Sequence, residues 1–387
     1  MRHGIGAWCL VVLAIAGTAI FAGCNGNRNA GIDASRAYID ARTAIRQAAE
    51  DQDPVTRSRA IEALAETVAD QAGGLFTQAL SDPNPTVRYA AAMALGDVKY
   101  APGKKTLLKM AETDEPDKRV LCAVIYALYR LGDDRYAGEL GGLLFDKEKL
   151  VRSCAAQAMG RMREPSAIGP LKTLQSDEHD AAVELQIVES LAMLGDARSR
   201  ELLESYTKRT PYLDDRLIAI QAIPEVAAQS PRAVQTLSDL LSKRHPTTVR
   251  LAAAGALARL GVVDEGGYEL CIQAVQDPDT VLLEGPEKAR RVTPADASSL
   301  QALAAISLGW MNQEEAVDVL HPLLASPNGI VRVAAGMSIL NLLSDYGFGG
   351  EPARRKPAEM APAKPSATSR PARRPKRRKL HTAGAKD

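Results

Sequence analysis

Histidines and glycine pairs are the residues of this sequence most suited to metal binding, proton transfer or phosphate binding. Beyond the N-terminal segment the histidines are His179, His245, His321 and His381. None of them has a second His or Cys at metal-ligand spacing, and glycine pairs such as Gly73-Gly74 lack the context of a phosphate-binding loop. We therefore predict no catalytic residue, no metal site and no cofactor, and we predict that the chain is not an enzyme.

Cysteines could serve as nucleophiles, metal ligands or disulfide partners. Two of the five cysteines lie in the N-terminal segment, which leaves Cys122, Cys154 and Cys271. These three are an odd number, lie among apolar residues and form no C-x-x-C or Cys/His pattern. We expect them to be buried small hydrophobic residues rather than disulfide partners or metal ligands.

The N-terminal segment has the pattern of an export signal. Basic Arg2 precedes an apolar run at 5–22, whose length fits a signal peptide and would also just span a bilayer. The sequence IFAGC at 20–24 resembles the lipobox of bacterial lipoproteins. The resemblance implies cleavage before Cys24 and attachment of lipid, including palmitate, to that cysteine. An uncleaved transmembrane anchor is the alternative.

The lipoprotein resemblance also predicts domain boundaries and a location. Residues 1–23 would be the lipoprotein signal peptide, and residues 24–32, which are polar and small, a flexible tether. We expect a lipid-anchored protein of the bacterial cell envelope. Asn25 differs from the Asp that retains such proteins at the inner membrane in some bacteria, so we favour the outer membrane, facing the periplasm.

A repeated segment organises most of the remaining chain. The sequence VRYAAAMALG at 87–96 recurs as VRSCAAQAMG at 151–160, VRLAAAGALA at 249–258 and VRVAAGMSIL from 331. Aligning the Arg position defines nine units spaced by 31 to 34 residues, apart from one spacing of 51. Apolar residues at helical spacing, separated by turn residues, predict helix, turn, helix in each unit. The long spacing predicts an insertion at about 276–297 that loops out, either as a binding element or as a solvated excursion.

The pattern V-R-x-A-A-x-x-A-L-G with a nearby Asp-Pro resembles the short HEAT-like repeats that also occur in phycobilin lyases. The resemblance covers residues 33–343. It implies an all-α, right-handed α-solenoid of about nine helix pairs, an armadillo-like helical fold in which each unit packs on its neighbours. No catalytic residue of the lyases can be placed in this sequence, so we do not transfer their activity.

The recurring arginine has a structural interpretation. In HEAT-like repeats this position usually forms ion pairs and hydrogen bonds with acids of adjacent units, and Asp82 and Asp146 precede their Arg by six residues. We favour this interpretation over a basic ligand-binding row, because three units have Leu, Glu or Gln instead. The predicted structural ladder consists of Arg57, Arg88, Arg152, Arg216, Arg250 and Arg332.

Outward positions on the second helices predict where a partner would bind. Residues one, five and nine positions after the ladder position should face the concave surface. In units two to four they include Tyr and Arg, the residue types favoured at binding hot spots. The alternative interpretation is that the tyrosines only pack between neighbouring helices. The predicted partner-binding patch consists of Tyr89, Met93, Tyr126, Tyr129, Arg130, Gln157 and Arg161.

Charge is divided unevenly between the repeats and the C-terminal tail. The chain has a net charge of +1, but residues 351–387 hold twelve Lys or Arg against three acids, a net of +9, which leaves −8 for residues 1–350. Residues 344–387 are rich in Pro, Ala, Lys and Arg and are predicted to be disordered. In an exported protein we expect them to be solvated or to bind anionic lipids or envelope polymers, and not nucleic acid. The predicted anion-binding residues are Arg373, Arg374, Lys376, Arg377, Arg378 and Lys379.

Together these features predict a membrane-anchored protein-interaction scaffold of the bacterial cell envelope, without catalysis of its own. The sequence does not identify the protein partner. Two alternatives stay open. An accessory subunit or lyase-like factor of an envelope enzyme would have a ligand pocket, whereas a spacer or assembly platform would have no single partner.

Overall fold

The computed structural model describes residues 32–344 except for residues 114, 211, 229 and 285–291. This part of the chain is all-helical and forms an α-solenoid, which confirms the predicted fold class. The predicted signal peptide, the lipidation site Cys24, nearly all of the tether and the tail from residue 345 lie outside the described residues. No described helix combines the length and the apolar character needed to cross a bilayer.

Nine units contribute a first helix each to the outside of the described solenoid. These helices are α1 (Ala34–Ala48), α3 (Ala69–Ala79), α5 (Lys104–Glu112), α7 (Leu140–Leu143), α9 (Ile168–Asp177), α11 (Ala197–Arg209), α13 (Pro231–Leu240), α15 (Glu265–Gln276) and α18 (Ala316–Leu320). The single-turn helices α7 and α18 adjoin 3₁₀ turns at Ala137–Glu139 and His321–Ala325. Gly141 and Gly142 in α7 and Pro322 after α18 explain this, because neither residue type favours a regular α-helix.

The second helices form an inner ring. They are α2 (Pro54–Thr67), α4 (Pro85–Asp97), α6 (Lys118–Arg130), α8 (Lys149–Met162), α10 (Ala181–Met193), α12 (Leu213–Val226), α14 (Thr247–Arg259), α17 (Pro294–Leu308) and α19 (Gly329–Leu342). In α4, for example, every residue from Ala90 to Gly96 is buried. An inner helix is buried nearly all round because it packs against inner helices on two sides and outer helices on a third.

Residues at fixed repeat positions begin and end the inner helices. Side chains that accept hydrogen bonds from the first backbone N–H groups are those of Asp53, Asn84, Asp117, Asp180 and Asn328. Eleven positions after the ladder position the backbone is left-handed in six units, with φ of 80° at Gly132, 91° at Gly195 and 80° at Gly261. A left-handed residue ends an α-helix, so this position turns the chain into the next unit.

The solenoid closes on itself. Each inner helix packs against the next one, and α19 packs against both α2 and α1, so the inner helices form a closed ring. A Cβ on Gly336 of α19 would lie 2.7 Å from Cγ1 of the fully buried Ile45 in α1, an approach that only glycine permits. His321 and Asp40 add a polar contact of 3.1 Å. We call the contact of α1 and α2 with α19 the closure interface.

The repeated arginines form bonds of one type at the N-terminal ends of the inner helices. Nη1 of Arg57 donates to two carbonyl oxygens of the preceding turn at 2.8 and 3.0 Å, while Nε and Nη2 bind the carboxylate of Asp82 in the next unit at 2.9 and 2.8 Å. The equivalent pairs are Arg88–Glu115, Arg152–Glu178 and, across the closure interface, Arg332–Asp51. The ladder therefore joins the last unit to the first as it joins neighbours.

Two ladder arginines make different contacts. Arg216 and Arg250 donate to the carbonyl oxygens of Thr207 and Leu241 in their own units, each at 3.1 Å. Pairing with a ladder arginine changes the titration of the acid. The hydrogen bond from Arg152 lowers the pKa of Glu178 to about 2.

The insertion in the eighth unit is partly folded. Its first part forms α16 (Pro278–Glu284), which packs against α15 and α17 and buries Val281. This differs from the prediction that the whole insertion loops out, because Val281 supplies an apolar contact for the helix. The charged stretch at 287–291 lies outside the described residues.

Candidate functional site

A second repeat position brings polar side chains together at the C-terminal end of the inner ring. From the first unit to the ninth, the residues nine positions after the ladder position are Glu66, Asp97, Arg130, Arg161, Met193, Glu225, Arg259, Trp310 and Asn341. We call these nine residues the polar layer. Eight of the nine side chains can form hydrogen bonds, although the ring around them consists mainly of Ala, Leu, Val and Ile.

Asp97 and Arg161 pair within the polar layer, although they belong to units two apart. Nη2 of Arg161 lies 2.9 Å from each carboxylate oxygen of Asp97, and Tyr126 of the intervening unit donates its hydroxyl to Asp97 at 2.5 Å. The Arg161 guanidinium also lies 5.4 Å from the centroid of the Tyr126 ring. Arg161 is only 8% exposed. These contacts fix a buried cation in one orientation.

Two buried carboxylates near Arg161 have hydrogen-bonding capacity that the described residues do not fill. Glu225 accepts a bond from Arg163 at 3.3 Å, and Glu189 accepts one from Gln186 at 3.2 Å. Within the described residues, the second oxygen of each carboxylate and Nε of Arg161 have no hydrogen-bond partner. Burial, together with the Glu225 carboxylate, raises the pKa of Glu189 to about 8. This region therefore offers both donors and acceptors at neutral pH.

Arg259 and Trp310 form a further contact within the polar layer. The Arg259 guanidinium lies 5.6 Å from the centroid of the Trp310 ring and donates to the carbonyl oxygen of Gln221 at 2.8 Å. Burial lowers the pKa of Arg259. The aromatic face thus stabilises a cation that has been removed from water.

The inner ring encloses a cavity of about 480 Å³. Its walls come mainly from α2, α4, α17 and α19, which become neighbours because the ring closes, and α8 and α12 line one part. Its apolar lining includes Val55, Met93, Ala302, Ile306, Val333 and Met337. Tyr89, Gln157 and Arg161 supply polar groups. A mostly apolar cavity of this volume with a few polar groups is typical of a binding site.

Four residues of the predicted partner-binding patch line this cavity, namely Tyr89, Met93, Gln157 and Arg161. The hydroxyl of Tyr89 donates to Oε1 of Gln157, which joins α4 to α8. The concave side of the solenoid is thus the inside of a ring, and these four residues line the cavity within it.

The other three patch residues lie apart from the cavity lining. Tyr126 has no exposed surface, because its hydroxyl and ring pack between Asp97 and Arg161 of the neighbouring units. The Arg130 guanidinium lies 5.9 Å from the centroid of the same ring. Tyr129 donates a hydrogen bond to Glu164. The structure therefore brings only part of the predicted patch to one place.

The predicted patch, which was confined to units two to four, missed the part of the cavity that units one, six, eight and nine provide. The offsets of one, five and nine positions, applied to all nine units, identify further lining residues: Glu62, Glu66, Gln221, Ala302, Ile306, Val333 and Met337. The repeat pattern therefore contained the information needed to find these residues. What the repeat did not reveal is that units one and nine are neighbours.

The cysteines and histidines do not contribute to this site. Cys122 and Cys271 are buried, and burial raises the pKa of both thiols, while Cys154 is partly exposed. In the described ranges no three or more His, Cys, Asp or Glu side chains are grouped so as to hold a metal ion.

Comparison with known proteins supports the repeat assignment. The family model for HEAT repeats matches residues 74–144, 105–181 and 139–224. Comparison with curated proteins gives no match.

Solved structures of similar fold come from proteins of different activities. The complex of CpcE and CpcF of phycocyanin lyase from Nostoc is 18% identical, with a TM-score of 0.39 over 66% of this chain and 97% of that chain. Human deoxyhypusine hydroxylase in complex with glycerol is 17% identical, with a TM-score of 0.35 over 72% of this chain and 98% of that chain. A mutant of Kap121p is 14% identical, with a TM-score of 0.30 over 80% of this chain and 38% of that chain. These likenesses concern the fold alone.

The prediction that the chain is not an enzyme was wrong. Similar structures include phycocyanin lyase and deoxyhypusine hydroxylase, so arrays of this kind occur in enzymes as well as in scaffolds. The absence of a recognisable catalytic motif in the sequence does not separate the two classes. What the repeats and the matches establish is narrower: this chain is an α-solenoid of HEAT-like repeats.

Proposed function

We propose that this chain is a protein-interaction scaffold that lipid on Cys24 holds at a membrane of the bacterial cell envelope, and that its central cavity binds a segment of the protein partner. The cavity of about 480 Å³ is the observation on which the proposal rests. Solenoids commonly bind partners on their concave surface. Here that surface is closed into a ring, so a protruding segment would enter rather than a folded domain.

The composition of the cavity supports an extended, mainly apolar segment. Met93, Ile306 and Met337 offer flexible or branched apolar surface, which adapts to side chains of different shape. Gln157 and Gln221 lie among them and can bond to backbone amides of an entering segment. Such a pocket would bury an anchoring side chain completely, which is where binding energy is usually concentrated.

The membrane part of the proposal rests on the lipobox resemblance at 20–24. Replacing Cys24 with Ser would remove the acceptor of the lipid, so the protein should move from the membrane to the soluble fraction and should no longer incorporate labelled palmitate. Continued membrane association of Cys24→Ser would instead support an uncleaved N-terminal helix as the anchor.

A second candidate function follows from the same cavity, whose volume also suits a small molecule. The chain would then be an accessory subunit or lyase-like factor of an envelope enzyme. This candidate predicts that purified protein retains a metabolite or chromophore, visible as added mass under native conditions and lost on denaturation. Retention of peptide or of no ligand would favour the scaffold.

Filling the cavity tests the proposed function directly. Ala65 lines the cavity and is only partly buried, so Ala65→Trp should occupy the space without disrupting the core. Ala197→Trp, on the exposed start of α11, is the matched control. In mild-detergent pull-downs from membranes, the wild type and the control should retain the same specific proteins, and Ala65→Trp should lose them. Equal retention by all three would place partner binding outside the cavity.

Removing residues 351–387 separates the ring from the tail in the same assay. Proteins retained without these residues would support binding by the ring. Loss of every partner would move the function to the tail and leave the repeats as a spacer.

A further inference from the structure

The excess negative charge of the repeats is confined to one part of the ring. Residues 260–331 contain eleven acids and three Lys or Arg, a net charge of −8, which equals the whole excess of residues 1–350. The three basic residues, Lys288, Arg290 and Arg291, lie outside the described residues. Units eight and nine therefore form an acidic sector, whereas the rest of the repeats is neutral on balance.

Six of these acids lie around the two turns that lead into α15 and α18. They are Asp264, Glu265, Glu269, Glu314, Glu315 and Asp318, and all six are exposed. We call them the acidic face. The two turns lie close together because α15 packs against α18. Burial and, next, the Glu315 carboxylate raise the pKa of Tyr268 in α15, as expected for groups that lie near each other. Val262 and Val263, exposed by 37% and 42%, add apolar surface beside the acids.

The chain leaves the ring on the side where the acidic face lies. The turns into α15 and α18 follow the C-terminal ends of α14 and α17, and the described chain ends at Ser344, just after α19. All three points belong to the C-terminal end of the inner ring, and α19 packs against both α17 and α18. The six carboxylates of the acidic face, a charge of −6, thus lie on the side from which the chain continues to residues 351–387, whose net charge is +9.

We propose that the basic C-terminal segment of this chain docks in cis on the acidic face of units eight and nine. The docked segment neutralises the six carboxylates of the acidic face. It also holds Arg373 to Lys379 away from anionic lipids and envelope polymers, so the contact is autoinhibitory toward those ligands. Because the segment is tethered, its effective concentration at the face is in the millimolar range, which compensates for a contact that is weak per charge.

Zero-length crosslinking of the full chain in neutral detergent tests where the segment lies. Lys376 and Lys379 should join to Glu265, Glu269 or Glu315, and in an equal mixture of ¹⁴N- and ¹⁵N-labelled protein the crosslinks should stay within one copy. Crosslinks only between copies would overturn docking in cis and assign the face to a second molecule. Crosslinks spread over acids of all units would overturn the assignment of the face.

A charge-reversal variant tests the energetics with a matched control. Glu265→Lys, Glu269→Lys and Glu315→Lys together should expose the segment, so trypsin should cleave between Arg373 and Lys379 about tenfold faster at low salt than in wild type. The control, Glu112→Lys, Glu139→Lys and Glu201→Lys, changes the same exposed charge elsewhere and should cleave like wild type. At about 1 M salt, where the Debye length is roughly 3 Å, all three should converge. Equal cleavage of all three at low salt would overturn the proposal.

Discussion

The ladder and the polar layer differ in the separation, along the chain, of the units that their ion pairs join. At the N-terminal ends the ladder joins only adjacent units, as in Arg57–Asp82, whereas at the C-terminal ends Asp97 pairs with Arg161 two units away. Arg163 and Glu225 also pair across an intervening unit. Side chains at the C-terminal ends of the inner helices therefore connect units that are not neighbours in the chain.

The two systems also differ in what remains when an acid is removed. Without Asp82, Arg57 would keep its hydrogen bonds to two carbonyl oxygens of its own unit, so its guanidinium would still have acceptors. Arg161 has hydrogen bonds to Asp97 as its direct polar contacts within the described residues and is nearly buried. A ladder acid should therefore matter less for stability than Asp97.

The largest expected effect is that of Asp97→Ala. It leaves the Arg161 guanidinium buried without its carboxylate and removes the acceptor of Tyr126, so the free energy of unfolding should fall by about 3 kcal/mol. Asp82→Ala, the matched change in the ladder, should cost about 1 kcal/mol. Denaturant unfolding of the two variants gives both values, and equal costs would contradict the distinction between the two systems.

Both systems depend on the closure interface, which Gly336→Val should disturb. The added side chain would collide with Ile45, so we expect a loss of about 1–3 kcal/mol and a larger radius of gyration, while helix content is retained. Gly74→Val is the control, since a Cβ there meets nothing within 4 Å. Small-angle scattering with denaturant unfolding measures both quantities. An unchanged radius together with unchanged stability would show that the interface is loosely packed.

The sequence predicted the units well because their determinants are local. The ladder position, the turn residues and the apolar spacing each act within about 32 residues, so they locate the helices and even the offsets of the cavity residues. Closure of the ring has no such local determinant. It depends on the small rotation of each unit relative to the one before it, summed over nine units. No residue of α1 or α19 indicates in the sequence that the ring closes. Asp51 looks like any acid in a turn, and only the structure shows that it binds Arg332.

The sequence left open which residues beside the polar layer are buried. Tyr126 occupies an offset that faces the concave side, yet it is covered because Asp97 and Arg161 meet above it. Glu189 occupies an equivalent offset, and nothing in its flanking residues indicates that it is 1% exposed. The offsets identify which residues point inward, but contacts between units, such as that of Asp97 with Arg161, decide which of them are covered.

The pH dependence of stability should distinguish Glu189, a buried carboxyl beside the polar layer, from the ladder acids. Burial raises the pKa of Glu189 to about 8, whereas an unfolded Glu titrates near 4.3. Between these values the unfolded chain has lost the proton that the folded chain keeps, so this group reduces stability as the pH rises. Glu189→Gln removes the effect, and its stability relative to wild type should improve from pH 5 to pH 8. An exposed control, Glu201→Gln, should show no such change, and a flat profile for Glu189→Gln would mean that the carboxyl is hydrated.

The smallest effects are expected in the ladder, where they decide whether the ring is closed in solution. Arg332 binds Asp51 at 2.8 Å across the closure interface, as Arg57 binds Asp82 between the first two units, and both also bind carbonyls of their own turns. Arg332→Gln and Arg57→Gln should therefore each cost about 1 kcal/mol or less, and by similar amounts. If Arg57→Gln is destabilising and Arg332→Gln is neutral in the same denaturant titration, the first and last units are apart in solution. Equal losses of stability would mean that the contact between the last unit and the first contributes as much as a contact between neighbouring units.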